Sequence, residues 1–150
     1  MRIVSWLALA LWALTIVAIG FMFFKSSTEI GDDGRTVVKL DTAEQTFVLG
    51  EMRKFLEAIR DATAALEQDD MKAVADAVTD KGLVAMMRDT PGSIITKSPA
   101  DFLLLSTDMH KGFDDIKAAA EKGADRDAIL LLMSEQLSRC VACHSSFRMP

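Results

Sequence analysis

The chain has 150 residues, half of them hydrophobic, and carries 17 Lys/Arg against 22 Asp/Glu for a formal net charge of −5. That length is one domain, or one domain plus an appendage. The acidic balance argues against nucleic-acid binding, which needs a basic surface. Apolar residues at regular spacing argue against disorder, and the absence of Tyr with only 3 Pro argues against a β-sandwich. The only two cysteines, Cys140 and Cys143, are too few and too close together to staple a small secreted fold.

The mean hydropathy of +0.20 is high for a chain with 26% charged residues, because the apolar residues are unevenly placed. Ile3 to Phe24 contains no charge, and every Asp and Glu follows it. About 20 apolar residues cross the hydrocarbon core of a bilayer. Arg2 and Lys25 flank the run, with Trp6 and Trp12 early in it and Phe21, Phe23 and Phe24 at its end, as suits a membrane interface. Residues 1–25 are therefore read as one N-terminal transmembrane helix, an uncleaved signal anchor. A cleaved signal peptide is the alternative, although its apolar core is shorter and ends on small residues. Arg2 favours the N-terminus inside, which places the remainder on the periplasmic face of the cytoplasmic membrane. Residues 26–40, rich in Ser, Thr, Gly and Asp, read as a flexible tether with Val37-Val38 the one strand-like stretch.

Residues 41–150 read as four helices. Asp41 with Glu44 three residues on is a capping box. Phe47, Met52, Phe55, Leu56, Ile59, Thr63 and Leu66 then recur at helical steps to Glu67. Asp69 or Asp70 caps a second helix through Met71, Val74, Val78, Leu83, Met86 and Met87, with Gly82 a place to bend or stop. Thr90-Pro91-Gly92 reads as a turn followed by loop to Lys97. Ser98-Pro99-Ala100-Asp101 then reads as an N-cap with Pro at the first helical position. The third helix buries Phe102, Leu105, Met109, Phe113 and Ile116 and ends near Gly123. Asp125 caps the fourth, whose stripe is Ile129 or Leu130, Met133, Leu137, Cys140 and His144. The fold class expected is all-α: an antiparallel four-helix bundle after the transmembrane helix.

Cys140-Val141-Ala142-Cys143-His144 is a C-x-x-C-H motif, the spacing of covalent c-type haem attachment. On a helix, residues three and four apart share a face. Both thiols can therefore meet the vinyl groups of one porphyrin while His144 reaches the iron. A thioredoxin-like dithiol needs a βαβ context, and structural zinc needs four ligands; neither is offered here. Arg139 and Arg148 flank the motif and are candidates to pair with the haem propionates. With two histidines in the chain there is little general-base capacity, so an electron carrier is expected and not an enzyme.

A helical domain with C-x-x-C-H near its end, followed by Ser145-Ser146-Phe147-Arg148, resembles the class II cytochromes c, the cytochrome c′ family. The resemblance covers residues 41–150 and is specific at the C-terminal end. It implies one haem c inside the bundle, with His144 as proximal ligand and a residue of the first helix deciding the distal side. Low-spin members carry Met there, and Met52 on the inner stripe is the matching candidate. Other members carry an apolar blocker and bind NO or CO. His110 is a second candidate ligand, and Met86 and Met87 stand near a haem edge. Met133, on the haem-bearing helix, cannot reach the far face. The expected function is a membrane-anchored monohaem cytochrome passing electrons between redox partner proteins, membrane complexes among them, with no nucleic-acid partner. The alternatives are a five-coordinate gas-binding haem protein and an accessory haem subunit of a membrane redox complex. The resemblance leaves a homodimer open, since family members often pair through their first two helices.

Overall fold

The computed structural model describes residues 2–24 and 28–150, with side chains described for 4–20 and from Glu29 onward. The chain is mostly helical: α1 (Arg2–Phe24), α2 (Thr42–Glu67), α3 (Met71–Val78), α4 (Leu83–Asp89), α5 (Gly92–Lys97), α6 (Ala100–Glu121) and α7 (Arg126–Ser146). Three short strands, β1 (Thr28–Ile30), β2 (Thr36–Val38) and β3 (Phe147–Arg148), make a sheet in that order.

From Val4 to Ile19, α1 exposes its large apolar side chains all round, Trp6 and Trp12 among them. Among the described residues no helix is long and apolar enough to cross a membrane. The side chains of Phe21, Phe23, Phe24 and Lys25, which complete the expected span and its flank, lie outside the described residues.

The expected tether is a correction. From Thr28 onward it is a hairpin: β1 pairs antiparallel with β2, turning through Gly34 at φ 80°. Val37, Val38 and Leu40 are buried, so the folded unit begins before Asp41. Its Ser26 and Ser27 lie outside the described residues.

Asp41 caps α2 as expected. Its side chain accepts from Glu44 N–H at 3.0 Å, and Glu44 accepts from Asp41 N–H at 2.9 Å. Lys97 of α5 reaches the same Glu44 carboxylate at 2.7 Å and Asp41 at 3.2 Å, which fastens α5 to the start of α2. Asp70 and Asp125 cap α3 and α7 through Ala73 and Ala128 N–H.

Three expectations fail locally. The second helix, expected through Met71 to Met87, is two, α3 and α4, and α3 stops short of Gly82, the residue expected to bend or end it. The break at residues 79–82 is gripped by α6: Asp114 accepts from Leu83 N–H at 2.9 Å, and His110 Nδ1 meets the Lys81 carbonyl at 2.6 Å. Gly82 is needed there, because a Cβ would lie 1.7 Å from Asp114 Oδ1. The segment expected as loop forms α5. Ser98 does not cap α6; its N–H closes α5 on the Ile94 carbonyl, and its buried hydroxyl has no partner among the described residues.

The main core joins the second half of α2, α3, the second half of α6 and the first half of α7. Ala58, Ala62, Val74, Val78, Phe113, Ile116, Ile129 and Met133 fill it. From α2, Ala58, Ala62, Ala65 and Leu66 face this core with Phe55 and Ile59 packed against it, while Leu56 and Thr63 do not, and the small alanines let α3 approach closely. α6 and α7 run antiparallel. Gln136 Nε2 donates to the Met109 carbonyl at 2.9 Å, Arg139 pairs with Asp108 at 2.9 Å, and the Phe102 and Phe147 rings meet edge to face at 5.4 Å. A second, smaller core of Val38, Leu40 and Phe102 lies beside Cys143, Phe147 and Met149.

Candidate functional site

Between the two cores α2 stands apart from α6 and α7, leaving a cavity of about 570 Å³. That size suits a cofactor-sized ligand, since small-molecule sites run about 300–1,000 Å³. The middle of α2 supplies Met52, Phe55 and Leu56; α4 and α5 supply Met86 and Ile94; α6 supplies Leu105 and Met109; α7 supplies Leu137, Cys140, Cys143 and His144. The expected α7 stripe divides: Ile129 and Met133 enter the main core, and Leu137, Cys140 and His144 line this cavity. Leu56 and Leu137 are consequently 68% and 46% exposed.

Cys140 and Cys143 are free thiols, half-buried in the cavity wall. Burial pushes both thiols above the ordinary cysteine range. A redox-active dithiol needs the opposite shift, toward thiolate. Among the described residues no group of three or more His, Cys, Asp or Glu is arranged to hold a metal ion unaided.

His110 also lines the cavity, but at its floor. Its Nδ1–H donates to the Lys81 carbonyl, the ring packs edge-on against Phe55 at 5.1 Å, and burial lowers its pKa. Gln136, hydrogen-bonded to the neighbouring Met109 carbonyl, marks this level on α7. His144 lies eight residues further along, about 12 Å of helix rise. Met52 is one turn above Phe55 toward the same open end. Met52 therefore stands nearer the level of Cys140 and His144 than His110 does. Met86 lines the cavity, Met87 is exposed, and Met133 is sequestered in the main core.

The two flanking arginines do not reach the cavity. Arg139 is committed to Asp108 across α6 and α7, and Arg148 lies 3.6 Å from Asp33 and donates to the Met149 carbonyl. Neither is among the residues that line the cavity. Arg53 lines the cavity instead and has no ion pair among the described residues. Sequence reasoning missed it, since it follows the inner-stripe residue Met52 and reads as a solvated helix charge.

The residues present fit a haem c. An apolar cavity of suitable size has two uncommitted thiols and an imidazole on one wall, a thioether on the opposite helix and a free guanidinium among its lining residues. No protein-family model, curated protein or solved structure matches the chain.

Proposed function

We propose that this protein is a membrane-anchored monohaem c-type cytochrome of the class II kind, carrying electrons between redox partners at the periplasmic face of the cytoplasmic membrane. The observation that supports it most is the convergence of Cys140, Cys143 and His144 on one apolar cavity, with Met52 facing them from α2. Cys140 and Cys143 would hold the haem through thioethers, and His144 and Met52 would supply ligands to its iron. The bound haem supplies a one-electron Fe(III)/Fe(II) couple, which Met/His ligation raises in potential. The chain's own part is to exclude water with Phe55, Leu56, Ile94 and Leu105, and to place Arg53 where a propionate meets solvent. Phe113 and His110 form a rigid floor.

α1 supports the anchor. Its 23 residues rise about 34 Å, and the apolar side chains described on it, from Val4 to Ile19, have no protein surface over them. A contiguous apolar patch of that extent marks a membrane or a partner.

The test is the visible spectrum of the haem-loaded full chain in detergent, reduced with and without CO. The reading expects a low-spin spectrum indifferent to CO that becomes CO-sensitive in Met52→Ala. A high-spin spectrum that shifts with CO before any mutation would replace electron transfer with gas binding.

A further inference from the structure

The hairpin is pinned to the end of the helix that carries the Cys140–His144 motif. β2 pairs in parallel with β3, Thr36 opposite Phe147 and Val37 opposite Arg148. Arg35 Nη1 donates to the His144 carbonyl at 3.1 Å. The same arginine holds Asp33 at 2.7 Å, and Asp33 faces Arg148. Beneath this layer Val38 and Leu40 pack with Phe102, Cys143 and Phe147. A lone surface ion pair is worth little, but here a ladder, a buried apolar cluster and the charges act at one junction.

The other end of the hairpin is tied to α1. The covalent path from the Phe24 Cα to the Thr28 Cα cannot exceed about 15 Å. Two strand spacings, a two-residue offset along the strands and the step from Phe147 to Ser146 add about 15 Å. The end of α1 is thus held within about 30 Å of the end of α7, whereas residues 25–40 as a free chain extend to about 55 Å.

We propose that the hairpin is a rigid coupling that keeps the haem-attachment end of α7 at the membrane face, so that the partner is a membrane-bound redox protein met by lateral diffusion. This rests on the anchored-cytochrome reading above. The anchor confines the domain to the plane of the bilayer, and the coupling removes the reach that a swinging domain needs.

The test uses the haem-loaded full chain in nanodiscs containing a headgroup-labelled fluorescent lipid, with haem as the energy acceptor. One variant carries about 20 Gly and Ser residues between Ser26 and Ser27, adding about 25 Å of average span. A second, Arg35→Ala with Val37→Asp, detaches the hairpin. The wild type quenches the lipid about twofold or more over both variants, at equal haem absorption. A lipid-anchored viologen, pre-reduced to its radical cation, gives its electron to the wild type faster than to the insertion variant by a similar factor, while soluble dithionite reduces both alike. Equal quenching in the wild type and the insertion variant overturns the coupling. Equal viologen rates overturn the membrane-bound partner. A chain with no haem absorption overturns the cytochrome reading and this proposal with it.

Discussion

Arg35 Nη1 donates to the backbone carbonyl of His144 at 3.1 Å, joining positions 109 apart in the chain. His144 lies in the last turn of α7, where carbonyls lack intrahelical donors and a cation complements the helix dipole. Arg35→Ala removes one such bond, worth about 0.5–1.5 kcal/mol. Hydrogen exchange at the Val37 and Phe147 amides should quicken roughly 2- to 13-fold, with the main-core amides unchanged. Unchanged exchange at the sheet would show that the ladder and Val38 hold the hairpin alone.

Gly112 sits where α6 crosses α7. A Cβ there would lie 1.9 Å from Gln136 Oε1 and 2.8 Å from Arg139 Nη1. Gln136 is fully buried and cannot swing away without losing its bond to Met109. Gly112→Ala should cost about 1–3 kcal/mol in denaturant unfolding. Adding Gln136→Ala should recover part of that cost, so the double variant loses less than the two singles added together. Strict additivity would place the strain elsewhere.

Much of this packing was legible beforehand. Asp41, Asp70 and Asp125 carry cap chemistry that acts locally, so the starts of α2, α3 and α7 follow from the residues themselves. The face of α7 bearing Cys140 and His144 follows from helical spacing. The hairpin was not legible, because Thr28–Ile30 and Thr36–Val38 are too short for a period and their third strand lies at the far end of the chain. Ser98 misled because its neighbour Pro99 takes the extended cap position while Ser98 ends α5. The ion pairs of Arg139 and Arg148 were not legible, because their partners Asp108 and Asp33 are distant in sequence. Arg53 could be found only once α2 was seen to stand away from α6 and α7.

That exchange of arginines is measurable. In the haem-loaded chain Arg53→Gln should lower the midpoint potential by about 10–40 mV, the one-electron equivalent of 0.2–1 kcal/mol for an exposed pair. Arg139→Gln should leave it within error, since Arg139 is paired with Asp108. The reverse pattern would return the propionate role to the residue beside Cys140.

His110 makes stability depend on pH. Burial holds its folded pKa below 6.5, the ordinary value. The unfolded chain therefore binds a proton first as pH falls, and stability drops from about pH 6.5 down to the folded pKa. The Glu44 carboxylate, held below its ordinary range by Lys97 and the Asp41 N–H, loses its contribution only at lower pH still. Urea unfolding at pH 7.5 and 5.5 should show a lower midpoint at 5.5. His110→Phe should flatten the difference, and a difference that persists in that variant would assign it to another group.

The most direct measurement is the mass of the intact full chain after co-expression with a c-type haem maturation system and denaturation. The account predicts one haem added to the polypeptide, resistant to acid-acetone extraction, and lost in Cys140→Ser/Cys143→Ser. An unmodified polypeptide mass with two titratable thiols, under conditions where a control C-x-x-C-H protein is loaded, would contradict it.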